Sequence, residues 1–170
     1  DNASTTVIAL AEGEVATDTF AYILSDENGA TDTATLTVTI TGTNDAPELT
    51  TTIADQTDGD SDAVTLNISE SFSDPDNGET ANLVFATSGL PVGLSIDSTT
   101  GIITGTIDGG ASLGGPNGDG IYTVTVTATD PAGETADDTF FWTIDNMAPT
   151  ATDNTAEVTE DTVTTDSGNL

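Results

Sequence analysis

Carboxylate and amide side chains recur in short acidic segments of this 170-residue chain, and they are suited to binding a hard metal ion. The chain has 30 Asp and Glu residues and no Lys, Arg or His, so its formal net charge is −30. Two carboxylates about 4 Å apart repel by roughly 4 kcal/mol at an effective dielectric constant of about 20. No cationic side chain can offset that repulsion, so clustered Asp and Glu residues indicate a bound cation. The candidate ligands of a first site are Glu12, Glu14, Asn44, Asp45, Asp74, Asp76 and Asp130.

Calcium fits these candidates better than other metals. It takes six to eight hard oxygen ligands and accepts irregular mixtures of carboxylates and carbonyls. Magnesium prefers octahedral geometry and retains water, and zinc favours His or Cys, which the chain lacks. The alternative for any single Asp is that it only caps a turn, as Asp and Asn often do. The loops "SDPDNGE" (73–79) and "TDPAGE" (129–134) would supply most of the ligands.

A second group of acidic residues includes the segment "DQTDGDSDA" (55–63), where Asp residues recur at the alternate spacing of a calcium loop. The segment lacks the Gly at position 6 and the Glu at position 12 of an EF-hand, so it is not one. Two interpretations stay open: a second ion at the following linker, or a solvated acidic face. The candidate ligands of this second site are Asp58, Asp60, Asp108, Asp145 and Asn146, and Asp62 and Asp119 could join them.

The composition also excludes several functions. Without His, Lys or Cys there is no standard base for a nucleophile, no Schiff base and no thiolate, so we expect no catalytic residue. Nucleic acid and anionic membrane surfaces require basic residues, and no apolar run reaches the length of a membrane span. A glycosidase with paired carboxylates remains formally open. The tripeptide Asp166-Ser167-Gly168 looks like part of an aspartic protease but has no partner copy.

The sequence predicts an all-β fold that would position these residues. Short alternating runs are separated by turns rich in Gly, Asp, Asn and Pro, a pattern typical of a seven-stranded antiparallel Ig-like β-sandwich. In such a sandwich the second-to-third and sixth-to-seventh strand loops share the pole where the chain enters, which brings 73–79 and 129–134 beside the linker at Asn44. The predicted strands are 49–54, 63–69, 82–87, 94–96, 102–107, 121–129 and 135–145.

The last predicted strand carries three aromatic residues. Alternation places Phe140 and Trp142 on one face and Phe141 on the other. The first two could pack in the core or form a platform for stacking on sugars, and core packing is the preferred interpretation.

Two family resemblances cover nearly the whole chain. "GLPVGLSIDSTTGIITGTI" (89–107) with "YTVTVTATDPAGETADDTFFWTI" resembles the dystroglycan-type cadherin-like (putative Ig) domain. "ALAEGEVATDTFAYILSDENGATDTATLTVTITGTNDAP" (9–47) resembles the closing half of a VCBS repeat, and "NTAEVTEDTVTTDSGNL" (154–170) the opening of another. The resemblance implies a partial VCBS repeat at 1–48, a cadherin-like domain at 49–147 and the start of a further repeat at 148–170. It also implies calcium between successive domains and an origin in a large secreted bacterial adhesin of the RTX type.

The leading hypothesis is therefore a non-enzymatic, extracellular structural module of a bacterial surface adhesin, with calcium stiffening the linkers between neighbouring domains of one long chain. A first alternative is a calcium-dependent module that binds a glycan or peptide through its loops. A second is a fibre subunit, in which the half-repeats complement each other head to tail between molecules.

Overall fold

A computed structural model describes residues 9–148. In this range the regular structure is β-strand, apart from three short 3₁₀ turns at Ser69–Ser71, Glu79–Asn82 and Ala111–Leu113. Within the described residues no helix has the length and apolar character needed to cross a membrane. The predicted repeat at 154–170 and the Asp-Ser-Gly tripeptide lie outside the described residues. The strands are β1 (Val15–Ser25), β2 (Thr31–Thr41), β3 (Glu48–Leu49), β4 (Gln56–Gly59), β5 (Ala63–Asn67), β6 (Phe72–Ser73), β7 (Val84–Ser88), β8 (Leu94–Asp97), β9 (Ile102–Thr106), β10 (Ile121–Thr129) and β11 (Thr135–Asp145).

The central domain is a β-sandwich of two main sheets. One sheet has the order β4-β11-β10-β7 and the other has the order β5-β9-β8, with β3 and β6 forming a separate short pair. Alternation explains the arrangement: Val124 and Val126 of β10 and Phe140, Trp142 and Ile144 of β11 point inward, and the residues between them, most of them Thr, point outward. The predicted all-β, Ig/cadherin-like sandwich is confirmed. The core includes Val64, Ile103, Val124, Val126, Phe140, Trp142 and Ile144.

The first predicted strand differs in detail, because 49–54 is not one continuous strand. Its place is taken by β3 and by β4, and β4 pairs with β11 in parallel rather than antiparallel fashion, with Gln56 opposite Trp142. In the segment between β3 and β4, hydrogen bonds to side chains replace the backbone pairing of a continuous strand. The Ile53 amide donates to Asp138 Oδ2 at 2.6 Å, and the Phe141 amide donates to Asp55 Oδ1 at 2.8 Å. These carboxylates satisfy amides that a neighbouring backbone would otherwise pair.

The aromatic residues of β11 fill the core. Trp142 is 0% exposed and Phe140 2% exposed, and their ring centroids lie 5.9 Å apart. The indole Nε1 donates to Asp58 Oδ2 at 2.8 Å, so the one polar atom of the ring is satisfied. Phe141 points to the opposite face and is half-exposed. The core interpretation is confirmed, and neither Trp142 nor Phe140 can present its ring to a sugar.

The N-terminal hairpin β1–β2 repeats the design of β10–β11 at a distance of 104 residues. Phe20 pairs with Leu36 as Val124 pairs with Phe140, so the two hairpins share one register when 104 is added to each number. Both have a five-residue connection that begins with Asp. The face that is buried in β10–β11 is exposed in β1–β2: the exposures are 52% for Phe20, 47% for Tyr22, 62% for Leu24, 55% for Leu36 and 39% for Val38.

Candidate metal centre

The linker before the sandwich is held against two loops of the domain that follows it. Asn44 Nδ2 donates to Asp130 Oδ2 at 2.8 Å and to Glu134 Oε2 at 3.2 Å. The backbone amide of Asp45 donates to Asp76 Oδ2 at 2.9 Å. The structure therefore brings together the linker and both loops that the topology predicted at this pole.

Local hydrogen bonds shape the loop of residues 74–79, which we call the acidic loop. The Asp76 amide donates to Asp74 Oδ1 at 2.9 Å, and the Glu79 amide donates to the Asp76 carbonyl at 3.2 Å. Gly78 has φ of +79°, a value that glycine adopts without steric cost and that closes the turn. Thr80 Oγ1 accepts from the Asp74 amide at 2.8 Å and fixes the start of the loop.

Three carboxylates converge in this loop. One oxygen from each of Asp74, Asp76 and Glu79 lies within 4.8 Å of the other two. Asp74 and Asp76 are buried, with 8% and 2% exposure, and Glu79 is half-buried. The buried oxygens Asp74 Oδ2, Asp76 Oδ1 and Glu79 Oε2 have no hydrogen-bond partner among the described residues. A buried polar atom without a partner costs about 1–3 kcal/mol and a charged one costs more, so this all-oxygen set fits a hard divalent cation.

The same convergence perturbs two of the carboxyl groups. Burial raises the pKa of Asp74, and the neighbouring charges of Asp76, Asp130 and Asp45 raise it further, against a lowering backbone hydrogen bond. Burial also raises the pKa of Glu79, together with the charges of Asp74 and Asp76. Both groups are therefore harder to ionise than in water. A bound cation would reverse that penalty.

Asp130 behaves in the opposite way. Burial by itself raises its pKa, but the hydrogen bond from Asn44 and the backbone hydrogen bonds from Glu134 and Gly133 outweigh burial, and the net pKa is lowered. Its Oδ1 accepts from the Gly133 amide at 2.6 Å and from the Glu134 amide at 2.8 Å. Asp130 thus stays ionised beside the acidic loop.

Glu12 and Glu14 reach the edge of this site but do not join the three converging carboxylates. Both are exposed. Glu14 Oε2 accepts from the Ala11 amide at 3.2 Å and lies 3.5 Å from Asn77 Nδ2. The backbone amide of Asn77 donates to the Ala9 carbonyl at 3.0 Å. Sequence reasoning did not single out Asn77, although it stands in the middle of the predicted acidic loop.

The second predicted group is arranged differently. Asp60 is buried and accepts from the Ser112 amide at 2.9 Å and from Ser112 Oγ at 2.6 Å. Asp58 accepts from Trp142, and Asp108 Oδ1 accepts from the Gly110 amide at 2.9 Å. Asp145 and Asn146 are exposed. The backbone carbonyl of Asp145 accepts a hydrogen bond from the Asp60 amide at 3.1 Å. Between residues 9 and 148 the acidic loop is the one place where three carboxylates converge. A site at the second linker stays a prediction.

Comparisons with known proteins agree with the fold. The family model described as "Putative Ig domain" matches residues 46–145. The extracellular domain of protocadherin gamma-B4 aligns with a TM-score of 0.53 and 22% identity, over 76% of this chain and 20% of that one. The human desmocollin-1 ectodomain aligns with a TM-score of 0.44 and 16% identity, over 77% and 33% of the two chains.

A Bacteroides fragilis protein described as a "putative alpha-galactosidase/melibiase" aligns with a TM-score of 0.42 and 20% identity, over 58% of this chain and 17% of that one. Of these three alignments, only that with protocadherin gamma-B4 is close enough to support the fold. This chain spans between 17% and 33% of the length of the three structures. No curated protein matches it in sequence.

Proposed function

The chain belongs to the family described as "Putative Ig domain", and on that premise we propose that it is a non-enzymatic structural module of an extracellular bacterial adhesin. In this proposal a calcium ion at the N-terminal linker fixes the sandwich to the module before it. The RTX-type adhesin and its VCBS repeats belong to the same proposal, and they rest on the resemblance of residues 9–47 and 154–170.

One observation carries the calcium part of the proposal: three carboxylates converge in the acidic loop, and each has a buried oxygen without a partner. Carboxylates on Asp74, Asp76 and Glu79 would hold the ion. Asp130 and the linker residues Asn44 and Asp45 stand beside them through the hydrogen bonds described above. Hard oxygen donors without nitrogen or sulfur select calcium over zinc.

The ion would act by neutralising charge and by removing freedom between modules. Without it, ionised Asp74, Asp76 and Glu79 repel one another and also repel Asp130. When calcium is bound, the acidic loop keeps its shape and continues to hold the Asp45 amide and the Ala9 carbonyl. The linker then has one orientation relative to the sandwich, and a row of such modules becomes a stiff rod. Calcium is abundant outside cells, so the rod would stiffen after secretion.

The N-terminal hairpin supports a tandem arrangement. Its exposed apolar face corresponds residue by residue to the buried face of β10–β11. A two-stranded hairpin is marginally stable alone, and such a face is normally covered by a second sheet. We therefore assign β1–β2 to a neighbouring module as its closing hairpin, in agreement with the predicted VCBS-like repeat at 1–48.

The test is a calcium titration of the purified chain by calorimetry, with melting curves and small-angle scattering in calcium and in chelator. Calcium should raise the melting temperature and reduce the range of shapes, and magnesium at equal concentration should do so less. An unchanged melting temperature and scattering profile on adding chelator would contradict the proposal.

A further inference from the structure

The chain has three Asn-Gly pairs, and the structure distinguishes one of them. An Asn-Gly pair can lose ammonia when the glycine nitrogen attacks the side-chain amide carbon, because glycine offers no steric hindrance. The pairs are Asn28–Gly29, Asn77–Gly78 and Asn117–Gly118, and all three Asn side chains are exposed. From sequence alone they are equivalent.

Backbone hydrogen bonds separate them. The Gly29 amide donates to the Asp26 carbonyl at 3.1 Å, and the Gly118 amide donates to the Gly115 carbonyl at 3.2 Å. The Gly78 amide has no acceptor among residues 9–148, because the turn around it is closed by the Glu79 amide instead. The nucleophilic nitrogen of Gly78 is therefore available, whereas the other two must first break a hydrogen bond.

We propose that Asn77 is a site of spontaneous deamidation, which slowly converts a neutral residue of the acidic loop into a negatively charged one. The Gly78 nitrogen gives up its proton to water or hydroxide and bonds to Cγ of Asn77; the Cγ–Nδ2 bond then breaks, and Nδ2 takes up a proton from water and leaves as ammonia. Water then opens the five-membered succinimide. Attack at the side-chain carbonyl gives aspartate, and attack at the backbone carbonyl gives isoaspartate with one extra carbon in the main chain.

The consequence follows from what Asn77 contacts. Its backbone amide donates to the Ala9 carbonyl, and its side-chain nitrogen lies 3.5 Å from Glu14 Oε2. Conversion to a carboxylate replaces a donor beside Glu14 with a second negative charge. Isoaspartate also lengthens the backbone between Asp76 and Glu79 and so displaces one carboxylate relative to the other. This effect on the cation rests on the proposed function, whereas the chemical step does not.

The experiment ages the folded protein in mildly alkaline, metal-free buffer and follows each Asn-Gly pair by mass spectrometry. Since the chain has no Lys or Arg, an Asp-directed protease replaces trypsin. It cuts at newly formed aspartate, and isoaspartate appears as the same mass without the cut. The matched variants are Asn77→Gln, Asn28→Gln and Asn117→Gln.

Asn77 should convert about two- to tenfold faster than Asn28 and Asn117, the factor that corresponds to one hydrogen bond. The three rates should converge in concentrated urea, because the residue pairs are identical. Equal rates in the folded protein, or a preference for Asn77 that persists in urea, would overturn the proposal. Aged wild type should also lose calcium affinity while aged Asn77→Gln keeps it. If neither protein binds calcium, the proposed function fails and the deamidation result still stands.

Discussion

The side-chain nitrogen of Asn44 lies 2.8 Å from Oδ2 of Asp130, a residue 86 positions further along the chain. This single contact joins the linker to the loop between the last two strands of the sandwich. Asp130 is buried, and its carboxylate also closes its own turn by accepting from two backbone amides. The orientation of the linker is thus coupled to the β10–β11 hairpin of the domain.

Replacing Asn44 by Ala should release the linker. The change removes hydrogen bonds to two carboxylates, and bonds to charged groups are worth about 1.5–3 kcal/mol each when buried and less here, where Asn44 is half-buried. Hydrogen exchange at the Asp45 amide should accelerate, and the pKa of Asp130 should rise because one of the bonds that lower it is lost. Asn117→Ala, which changes an exposed amide, is the control. Unchanged exchange at Asp45 would show that Asn44 does not hold the linker.

Asp76→Asn should weaken calcium binding and stabilise the metal-free protein. The substitution removes one of the three converging charges. Mutating a residue that only hydrogen-bonds to a metal ligand lowers metal affinity by about 10- to 100-fold, and here a ligand itself is changed. The loss should be at least that large in a calorimetric titration. The melting temperature in chelator should rise, because a buried charge that repels Asp74 and Glu79 disappears, while the side-chain oxygen of Asn can still accept the Asp45 amide. Asp137→Asn removes the same charge from an exposed position on β11 and should change neither quantity.

The metal-free protein should become more stable as pH falls from neutrality towards about 4, the ordinary range of carboxyl groups. Asp74 and Glu79 have raised pKa values when folded, so the folded state binds their protons first and gains stability below those values. Near and below pH 4 the lowered pKa values of Asp97 and Asp130 act in the opposite direction. Calcium affinity should fall over the same range in which metal-free stability rises. Melting curves in chelator and calcium titrations, each repeated across this pH range, measure the two quantities. A metal-free stability and a calcium affinity that change in the same direction with pH would contradict this assignment.

Ser112→Ala should destabilise the sandwich by about 1–3 kcal/mol, because buried Asp60 then loses the hydroxyl that donates to it at 2.6 Å. Denaturant unfolding measures the loss, and Ser88→Ala, at an exposed position of β7, is the control. Adding calcium should not restore the stability. If calcium did restore it, Asp60 would belong to a cation site after all.

The repeated hairpins give a matched pair of substitutions. Phe140→Ala should cost about 3–5 kcal/mol, the usual price of truncating a buried aromatic. Leu36→Ala, at the equivalent position of the first hairpin, should leave the unfolding of the sandwich almost unchanged because Leu36 is 55% exposed. Denaturant unfolding followed by Trp142 fluorescence reports on the sandwich alone. A large effect of Leu36→Ala would mean that the hairpin packs on the sandwich.

Alternating residues allowed most strands to be predicted. In β10 and β11 the alternating apolar positions, such as Val124, Val126 and Trp142, are also the buried ones, so local pattern and tertiary packing agree. β4 was missed because its four residues, Gln-Thr-Asp-Gly, have no apolar alternation. It is a strand because its backbone pairs with β11 and because Asp58 receives the indole N–H of Trp142. Such long-range partners leave no local signal.

The candidate site was predictable from topology rather than from spacing. Knowing that two loops share a pole was enough to bring Asp74, Asp76 and Asp130 near Asn44. The sequence could not show which of these carboxylates would be saturated by amides and which would keep a bare oxygen. Asp74 and Asp130 each precede a proline in their loops, yet only Asp74 has a buried oxygen without a partner. That distinction depends on the three-dimensional path of the loops.

The parallel pairing of β4 with β11 has a mechanical consequence. β4 comes after the N-terminal linker and the short strand β3, and β11 ends at the C-terminal linker. The two strands run side by side from Gln56 opposite Trp142 to Gly59 opposite Asp145. Tension between the two linkers pulls these strands in opposite directions along a common axis. The load therefore acts in shear on all of their hydrogen bonds at once, whereas an antiparallel terminal pair would unzip one bond at a time. In this geometry the seam between β4 and β11 resists extension through all of its hydrogen bonds together, with or without a cation at the linker.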